Sequence, residues 1–325
     1  MMRTEALQGI PDLWKATYDL VAQVPRGRVT TYGEVAKALG DIVASRFVGL
    51  AMSRNDDIVR VPCRRVVQSD GRVGGYTGGG PRKKTRLLRE EGIRIEGGRI
   101  SDLEDVVFRD FKTSYPLRDL RKRQLSLRKS LKISASKRPM ETVAGVDVAY
   151  EDQHAYAAVV ALDCDTGEEV YRRVVEGDAR FPYVPTYLAF REIPIIEPLM
   201  RDIDESTVVM YDGNGTLHPE GFGIASQVGV TFNVRTVGVA KKLLCGRIVG
   251  EQVGPSHRIV LDGSTIGYAY SWDRLGKPVF VSVGHGVSQE QGLKLVSRFT
   301  KHRLPEPTRL AHIAAEEARM RTSHK

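Results

Sequence analysis

The chain has 325 residues, with 49 Lys and Arg against 40 Asp and Glu and a formal net charge of +9. This length suits two domains that each bury a core, and the positive charge favours a polyanionic partner. Three widely spaced cysteines without a Cys-x-x-Cys pattern argue against a disulfide framework and a structural zinc site. Because the sequence shows no signal-peptide pattern and no apolar run of membrane-spanning length, we expect a cytoplasmic protein with no membrane partner.

The first part of the chain carries three helical patterns. Residues 13–24 have the apolar spacing of an amphipathic helix. Thr31, followed three residues later by Glu34, forms a capping-box pattern at the start of a predicted helix over 31–39, and residues 44–53 repeat the helical spacing. The last two helices predict a helix-turn-helix, whose second helix can lie in a DNA groove. Such pairs are also common in proteins that bind no DNA.

A cysteine with two basic neighbours follows. Cys63 comes after Pro62 and before Arg64 and Arg65. Positive neighbours favour a thiolate, so Cys63 is a candidate nucleophile. The alternative is a buried structural cysteine, since cysteine is among the most frequently buried residue types.

With the motifs PCRR, GGYTGGG and LLREEG, residues 11–97 resemble the active-site half of the O6-alkylguanine-DNA alkyltransferases and the alkyltransferase-like proteins. The resemblance implies that Cys63 accepts the alkyl group, that Tyr32 helps to rotate the target nucleotide out of the duplex, and that Arg46 fills the gap left behind. It also implies lesion or DNA contacts, directly or through the loop that they support, for Asn55, Arg65, Tyr76 and Thr77.

The chain departs from this family at one catalytic position. The family reads Pro-Cys-His-Arg, whereas Arg64 stands here in place of the histidine that would take the thiol proton; Glu91 matches the family's glutamate. Two interpretations stay open for this domain. Either Cys63 transfers alkyl groups slowly, or the domain is a non-catalytic sensor of alkylated bases.

Residues 101–116 are mixed in character, and we take them as a linker between a first domain at 1–100 and a second at 117–325. At the start of the second domain, residues 118–138 hold nine Lys or Arg residues against one acid, with leucines at helical spacing. This pattern predicts a basic helix that could face DNA. A solvated helix face is the alternative.

Two strand-like runs of the second domain each carry a carboxylate. Residues 142–150 place Asp147 inside a strand, and residues 208–211 lead to Asp212 in a glycine-rich turn that also carries His218. Adjacent carboxylates repel unless a cation lies between them, so the pair predicts a site for Mg²⁺ (or Mn²⁺). Further strands at 156–163, 170–176, 259–261 and 279–283, with helices at 186–192 and 289–301, complete a mixed α/β pattern.

Five stretches in this order, 142–150, 181–192, 208–226, 238–244 and 304–312, resemble endonuclease V from about Gln124 onward. The resemblance implies a ribonuclease H-like α/β fold and nicking of DNA 3′ to deoxyinosine, the product of adenine deamination. It assigns the metal to Asp147, Glu192, Asp212 and His312, with His218 and Lys241 assisting at the phosphate.

Two further sets of residues follow from the same resemblance. A strand-parting wedge would consist of Pro182, Tyr183, Val184 and Pro185. A pocket for the flipped hypoxanthine would consist of Gly213, Gly223, Ile224, Ala240 and Leu244.

The sequence thus predicts a mainly α, helix-turn-helix (winged-helix-like) N-terminal domain joined to an α/β ribonuclease H-like C-terminal domain. We expect a bifunctional DNA-repair protein: an endonuclease V-type hydrolase with an alkyltransferase module. Its expected partner is double-stranded DNA containing deaminated or alkylated bases. Inosine-containing RNA is the alternative nuclease substrate.

Overall fold

The structure, a computed structural model, describes residues 9–250, 255–273 and 276–323. These residues divide into two compact units. The N-terminal unit holds residues 10–121 together with 181–185, and the C-terminal unit holds residue 9, 122–180 and the described residues from 186 onward. The expected domain limits of 1–100, 101–116 and 117–325 stay a prediction, and their outermost residues, 1–8 and 324–325, lie outside the described chain.

The N-terminal unit is mainly helical, as predicted. Its helices are α1 (Leu13–Val21), α2 (Tyr32–Leu39), α3 (Ser45–Ser53), α4 (Gly80–Glu90), α5 (Leu103–Val106) and the first part of α6 (Pro116–Arg128). The Thr31 hydroxyl accepts a 3.1 Å hydrogen bond from the Glu34 N–H, which caps α2 as the sequence pattern indicates. Gly40, with φ 112°, ends the helix in the left-handed region. The helix pair α2 and α3 is therefore confirmed.

Two short strands position the cysteine loop. Strand β1 (Thr30–Thr31) pairs in parallel with β2 (Val66–Val67), which directly follows the 3-10 turn Cys63–Arg65. The buried Lys84 of α4 donates from Nζ to the carbonyl oxygens of Val66 at 2.6 Å and Gly75 at 3.1 Å. These bonds tie α4 to both ends of the segment between residues 66 and 75. A hairpin of β3 (Ile95–Glu96) and β4 (Arg99–Ile100) completes the unit's short strands.

The C-terminal unit is built on a nine-stranded mixed sheet of order β10-β11-β12-β13-β9-β8-β5-β6-β7. The strands are β5 (Thr142–Glu151), β6 (His154–Asp163), β7 (Glu169–Asp178), β8 (Thr207–Tyr211), β9 (Arg235–Ala240), β10 (Arg247–Val249), β11 (Ser256–Leu261), β12 (Ser264–Tyr270) and β13 (Val279–His285). Central strands β5, β8 and β9 run parallel, and the other pairs are antiparallel. The strands predicted at 142–150, 156–163, 170–176, 208–211, 259–261 and 279–283 are confirmed.

Helices cover both faces of this sheet. They are α7 (Leu188–Met200), α8 (Ile224–Phe232), α9 (Gln289–Phe299) and α10 (Glu306–Ser323). In β8, Val208 and Met210 pack in the core cluster that includes α9 and α10, while Val209 and Tyr211 pack in the one that includes α7 and α8. This alternation is the period of two that a strand imposes, and it creates a layered α/β unit.

Two helices differ most from their predicted limits. The basic helix α6 ends at Arg128 rather than at residue 138. Helix α7 begins at Leu188 and continues past residue 192 through Pro194 and Pro198. Proline removes a helical hydrogen bond, but both prolines lie outside the buried stripe of α7, whose buried side chains face the sheet. Tertiary packing therefore overrides the local helix-breaking signal.

The two-domain fold class, a helical unit followed by an α/β unit with a large mixed sheet, is confirmed. No helix in the described part of the chain is long and apolar enough to cross a membrane.

Candidate active site

Strand register brings the two predicted aspartates together. Strands β5 and β8 are parallel, with Val146 opposite Tyr211, and the Asp212 N–H donates to the Val146 carbonyl at 3.1 Å. Asp147 and Asp212, one residue further along each chain, therefore lie side by side. Burial, followed by the charge of the Asp147 carboxylate, raises the pKa of Asp212. The C-terminal unit thus holds two adjacent carboxylates that repel each other, and a cation bound between them would offset this repulsion.

Each aspartate has one basic partner. The Lys241 Nζ, just beyond the end of β9, donates to Asp212 Oδ2 at 2.5 Å, and the His312 Nδ1 on α10 lies 2.7 Å from Asp147 Oδ2. Gly145 explains how α10 comes so close, since a Cβ there would lie 2.0 Å from the Pro307 backbone. Residues 145 and 147 point to the same face of the strand. The glycine therefore lets α10 rest on β5 and deliver His312 to Asp147.

Glu192 lies in a different environment. It is buried on α7, and both carboxylate oxygens accept tyrosine hydroxyls: Oε2 from Tyr211 at 2.7 Å and Oε1 from Tyr150 at 3.0 Å. Burial raises the pKa of Glu192 to about 7, although the two hydrogen bonds oppose that shift. Sequence reasoning missed both tyrosines. Their only signal is their position at or near the ends of the two strands that carry the aspartates.

The donor set limits where a metal could bind. Within residues 9–250, 255–273 and 276–323, no group of three or more His, Cys, Asp and Glu side chains is arranged to hold an ion. The adjacent carboxylates of Asp147 and Asp212 nevertheless fit a hard divalent ion that takes its remaining ligands from water and phosphate. These two residues could hold the metal.

His218 lies in the loop between β8 and α8. It is buried, and its Nδ1 accepts the Glu220 N–H at 3.1 Å. A neutral ring in this arrangement carries its proton on Nε2. The His218 carbonyl also accepts the Gly221 N–H at 2.7 Å, so the residue holds the turn of the glycine-rich loop.

The five residues predicted to form the base pocket differ in packing and burial. Gly213 and Gly223 pack against neighbours: a Cβ on Gly213 would lie 2.5 Å from the Ile224 Cγ2, and one on Gly223 would lie 2.3 Å from the Asn214 oxygen. Ala240 belongs to a separate small core cluster. Leu244 is 42% exposed. The structure therefore brings Gly213, Gly223 and Ile224 into one tightly packed corner of the loop.

The predicted wedge exposes its aromatic residue. The Tyr183 side chain is 62% exposed, whereas Pro182 and Val184 are buried and Pro185 is half-buried. The exposed tyrosine is therefore flanked along the chain by buried residues.

The N-terminal unit has its own cavity of about 310 Å³ at Cys63. Four predicted residues line it together: Tyr32, Cys63, Tyr76 and Thr77. Four others were missed, namely Gly49, Met52, Ser53 and Gly75. The signal available for three of the missed residues was their i, i+3, i+4 spacing, which places positions 49, 52 and 53 on one face of α3.

The contacts of Arg64 explain what replaces the missing histidine. Arg64 Nε donates to Glu91 Oε1 at 2.7 Å, and Arg65 Nε donates to Glu91 Oε2 at 2.7 Å. Although burial opposes it, the hydrogen bonds from Arg65 and Arg64 lower the pKa of Glu91. A guanidinium cannot accept a proton, so this arrangement provides no base for the Cys63 thiol.

The remaining predicted residues of the N-terminal unit have distinct positions. Asn55 Nδ2 donates to the Val61 carbonyl at 3.0 Å, which braces the end of α3 against the cysteine loop. Arg46 is exposed on α3. Arg65 also donates to the Val24 carbonyl at 2.7 Å and keeps only 12% of its side chain exposed. Arg65 is thus engaged inside its own unit.

These observations define the class of protein: a two-domain enzyme with a paired-carboxylate site in an α/β unit and a cysteine cavity in a helical unit. The endonuclease V family model matches residues 124–313, and the model for the DNA-binding domain of 6-O-methylguanine DNA methyltransferase matches residues 12–93. The chain belongs to the endonuclease V family, and over nearly its whole length to the bifunctional methyltransferase/endonuclease proteins. Both predicted resemblances, and the expected endonuclease V-type hydrolase, are confirmed.

The relatives and solved structures agree with this family. The bifunctional methyltransferase/endonuclease of Picrophilus torridus is 36% identical, over 93% of this chain and 95% of its own length; the one of Thermoplasma volcanium is 37% identical, over 93% and 88%. Endonuclease V of Streptomyces avermitilis has a TM-score of 0.59 at 33% identity, covering 63% of this chain and 94% of its own. Ciona intestinalis endonuclease V, solved with DNA containing an inosine, has a TM-score of 0.59 at 28% identity, over 63% and 98%.

Proposed function

We propose that the C-terminal unit nicks DNA on the 3′ side of deoxyinosine. The single observation that carries this proposal is the Asp147–Asp212 pair, set side by side by parallel strands and flanked by His312 and Lys241. The similarity to a relative solved with inosine-containing DNA supports the choice of base. The proposed partner is double-stranded DNA with deaminated or alkylated bases, and inosine-containing RNA is the competing substrate.

Asp147 and Asp212 would hold a divalent ion, Mg²⁺ or Mn²⁺, with Glu192 and His312 close behind them. When bound, the ion would supply Lewis-acid stabilisation of the charge that develops on the phosphate. Lys241 neutralises Asp212 and adds positive charge where the scissile phosphate is expected. His312 orients Asp147 through Nδ1, while Tyr150 and Tyr211 hold the buried Glu192 carboxylate in place.

Recognition of the base would use the remaining residues. The exposure of Tyr183 between buried Pro182 and Val184 supports its role as a wedge, because an exposed aromatic ring can enter the stack in place of a base. Gly213, Gly223 and Ile224, with Ala240 and Leu244, remain the proposed hypoxanthine pocket. His218 would support this loop and the phosphate beside it.

We also propose that the N-terminal unit flips O6-alkylguanine into the cavity at Cys63 and accepts its alkyl group. The specific observation is that Tyr32, Tyr76 and Thr77 line one cavity with the thiol. In the transfer a sulfur–carbon bond forms as the bond between that carbon and O6 breaks, and the thiol proton passes through solvent to the guanine. Because Arg64 cannot carry this proton, the reaction would be slow and would occur once per protein molecule.

One experiment tests both proposals. The full chain is incubated with duplexes containing either inosine or O6-methylguanine, with and without Mg²⁺. The nuclease proposal expects nicks beside inosine with Mg²⁺ only, and their absence in both conditions would refute it. The transfer proposal expects methyl on Cys63 in both conditions and none on any other residue. Tight binding with Cys63 unmodified would leave the sensor interpretation.

A further inference from the structure

A second cavity of the C-terminal unit, about 320 Å³, carries an exposed tryptophan. It is lined by Trp272, Asp273, Gly276, Lys277, His302 and Arg303, and we refer to it as the Trp272 surface. The indole is 55% exposed, and its ring centre lies 6.2 Å from that of His302. An exposed aromatic ring beside charged groups is an arrangement that single-stranded nucleic-acid sites use for base stacking.

The charges on this surface are mainly positive. Lys277 and Arg303 both line the cavity and are exposed, and the exposed Lys301 is next but one to Arg303; among the lining residues that the structure describes, Asp273 is the one acid. Cations beside an exposed aromatic ring are the combination that holds single-stranded nucleic acid, in which bases stack on rings and phosphates contact Lys or Arg. A purely apolar ligand would leave the cations without a partner.

A hydrogen bond links the Trp272 surface to a residue of the candidate active site. An Arg303 guanidinium nitrogen donates to the carbonyl of Lys241 at 3.3 Å, and the Nζ of Lys241 lies 2.5 Å from Asp212 Oδ2. Arg303 and Lys241 thus connect the cavity to the carboxylate pair within the same unit. This link places the Trp272 surface beside the segment that carries Lys241.

We propose that the Trp272 surface binds a single-stranded stretch of nucleic acid, with a nucleobase stacked on the indole and phosphates on Lys277 and Arg303. This inference rests on the proposed nuclease function only for the position of the cleaved strand. Binding itself needs neither the metal nor inosine, so it can be measured apart from nicking.

Tryptophan fluorescence offers a direct test, because the chain has two tryptophans, Trp14 and Trp272. A Trp14→Phe variant of the full chain leaves Trp272 as the reporter. Short oligo-dT or oligo-rU is added with EDTA present and no inosine. We expect saturable quenching by either single strand and much weaker quenching by a duplex of the same length. Absence of quenching, or equal quenching by duplex, overturns the proposal.

Affinity measurements identify the groups responsible. With a labelled oligo-dT, Trp272→Ala should bind about tenfold more weakly, while Trp272→Phe should retain most of the affinity because a ring remains for stacking. In Lys277→Gln, the salt dependence of the affinity should fall by the amount expected for the loss of about one phosphate contact. Lys294→Gln, a charge control outside the cavity, should keep the native salt dependence. Unchanged affinity in folded Trp272→Ala refutes the stacking role. These results stand whether or not inosine is the nuclease substrate.

Discussion

Arg64 Nε donates a 2.7 Å hydrogen bond to Glu91 Oε1, so that a guanidinium occupies the position where the resembling alkyltransferases have histidine. The contact preserves the link between the cysteine loop and the end of α4. It removes the proton acceptor, because arginine stays protonated in proteins. Arg64 thus keeps the structural contact with Glu91 but cannot act as the proton acceptor.

Restoring the histidine should accelerate alkyl transfer. We expect Arg64→His to methylate Cys63 about 10²-fold faster than the native chain, at the low end of what general acid–base catalysis contributes. Time courses with O6-methylguanine DNA, followed by mass spectrometry of the Cys63 peptide, measure this rate. Arg60→His, on an exposed arginine, is the matched control. Equal rates in native chain and variant would show that another group already moves the proton.

The paired aspartates should be required for nicking and not for folding. We expect Asp147→Asn and Asp212→Asn each to lower the nicking rate at inosine by at least about 10²-fold, and EDTA to abolish nicking in the native chain. Gel assays with Mg²⁺ measure the loss, and circular dichroism checks the fold. Asp202→Asn, on an exposed aspartate, should leave the rate unchanged. Full activity in either folded variant would contradict the assignment of the metal to this pair.

Tyr183 should matter more on paired than on unpaired DNA. Parting and unstacking base pairs costs a few kcal/mol only when the strands are paired. We therefore expect Tyr183→Ala to reduce nicking of an inosine duplex about tenfold more than nicking of the same single strand, and Tyr183→Phe to behave like the native chain. Nicking rates on the two substrates decide the question, and equal losses on both would argue against a wedge.

Buried Lys84 should make the stability of the N-terminal unit depend on pH. Burial lowers its pKa from 10.5 to about 8. Between these values the unfolded chain binds the additional proton, so the free energy of unfolding rises with pH across this window. At about 1.4 kcal/mol per pKa unit the full change is roughly 3 kcal/mol.

A Lys84→Met variant tests this linkage, since it has no group that titrates at this position. Urea unfolding of a Trp272→Phe chain, with Trp14 as the fluorescent probe of the N-terminal unit, gives the free energy below pH 8 and at pH 10.5. As the pH rises over this range, the free energy of unfolding of the chain with Lys84 should increase by roughly 3 kcal/mol more than that of the Lys84→Met variant. A constant difference between the two chains would place the titration elsewhere.

The sequence by itself determined the elements whose signals are local. The capping box at Thr31 fixed the start of α2, and the apolar runs before Asp212 and around Asp147 fixed two strands. Since strand residues alternate between faces, these runs also specified which side chains could meet. The motifs around Cys63 and those from residue 142 onward were sufficient to indicate both families.

Only the tertiary structure decided contacts between residues far apart in the chain. Glu192 meets Tyr150 and Tyr211 because α7 packs over the ends of β5 and β8, and no spacing along the chain encodes that arrangement. Arg303 likewise reaches the Lys241 carbonyl across 62 positions, which joins the Trp272 surface to the carboxylates. Local periodicity sets the face that a residue occupies, but sheet order and helix packing set its neighbours, and the chemistry of both sites depends on those neighbours.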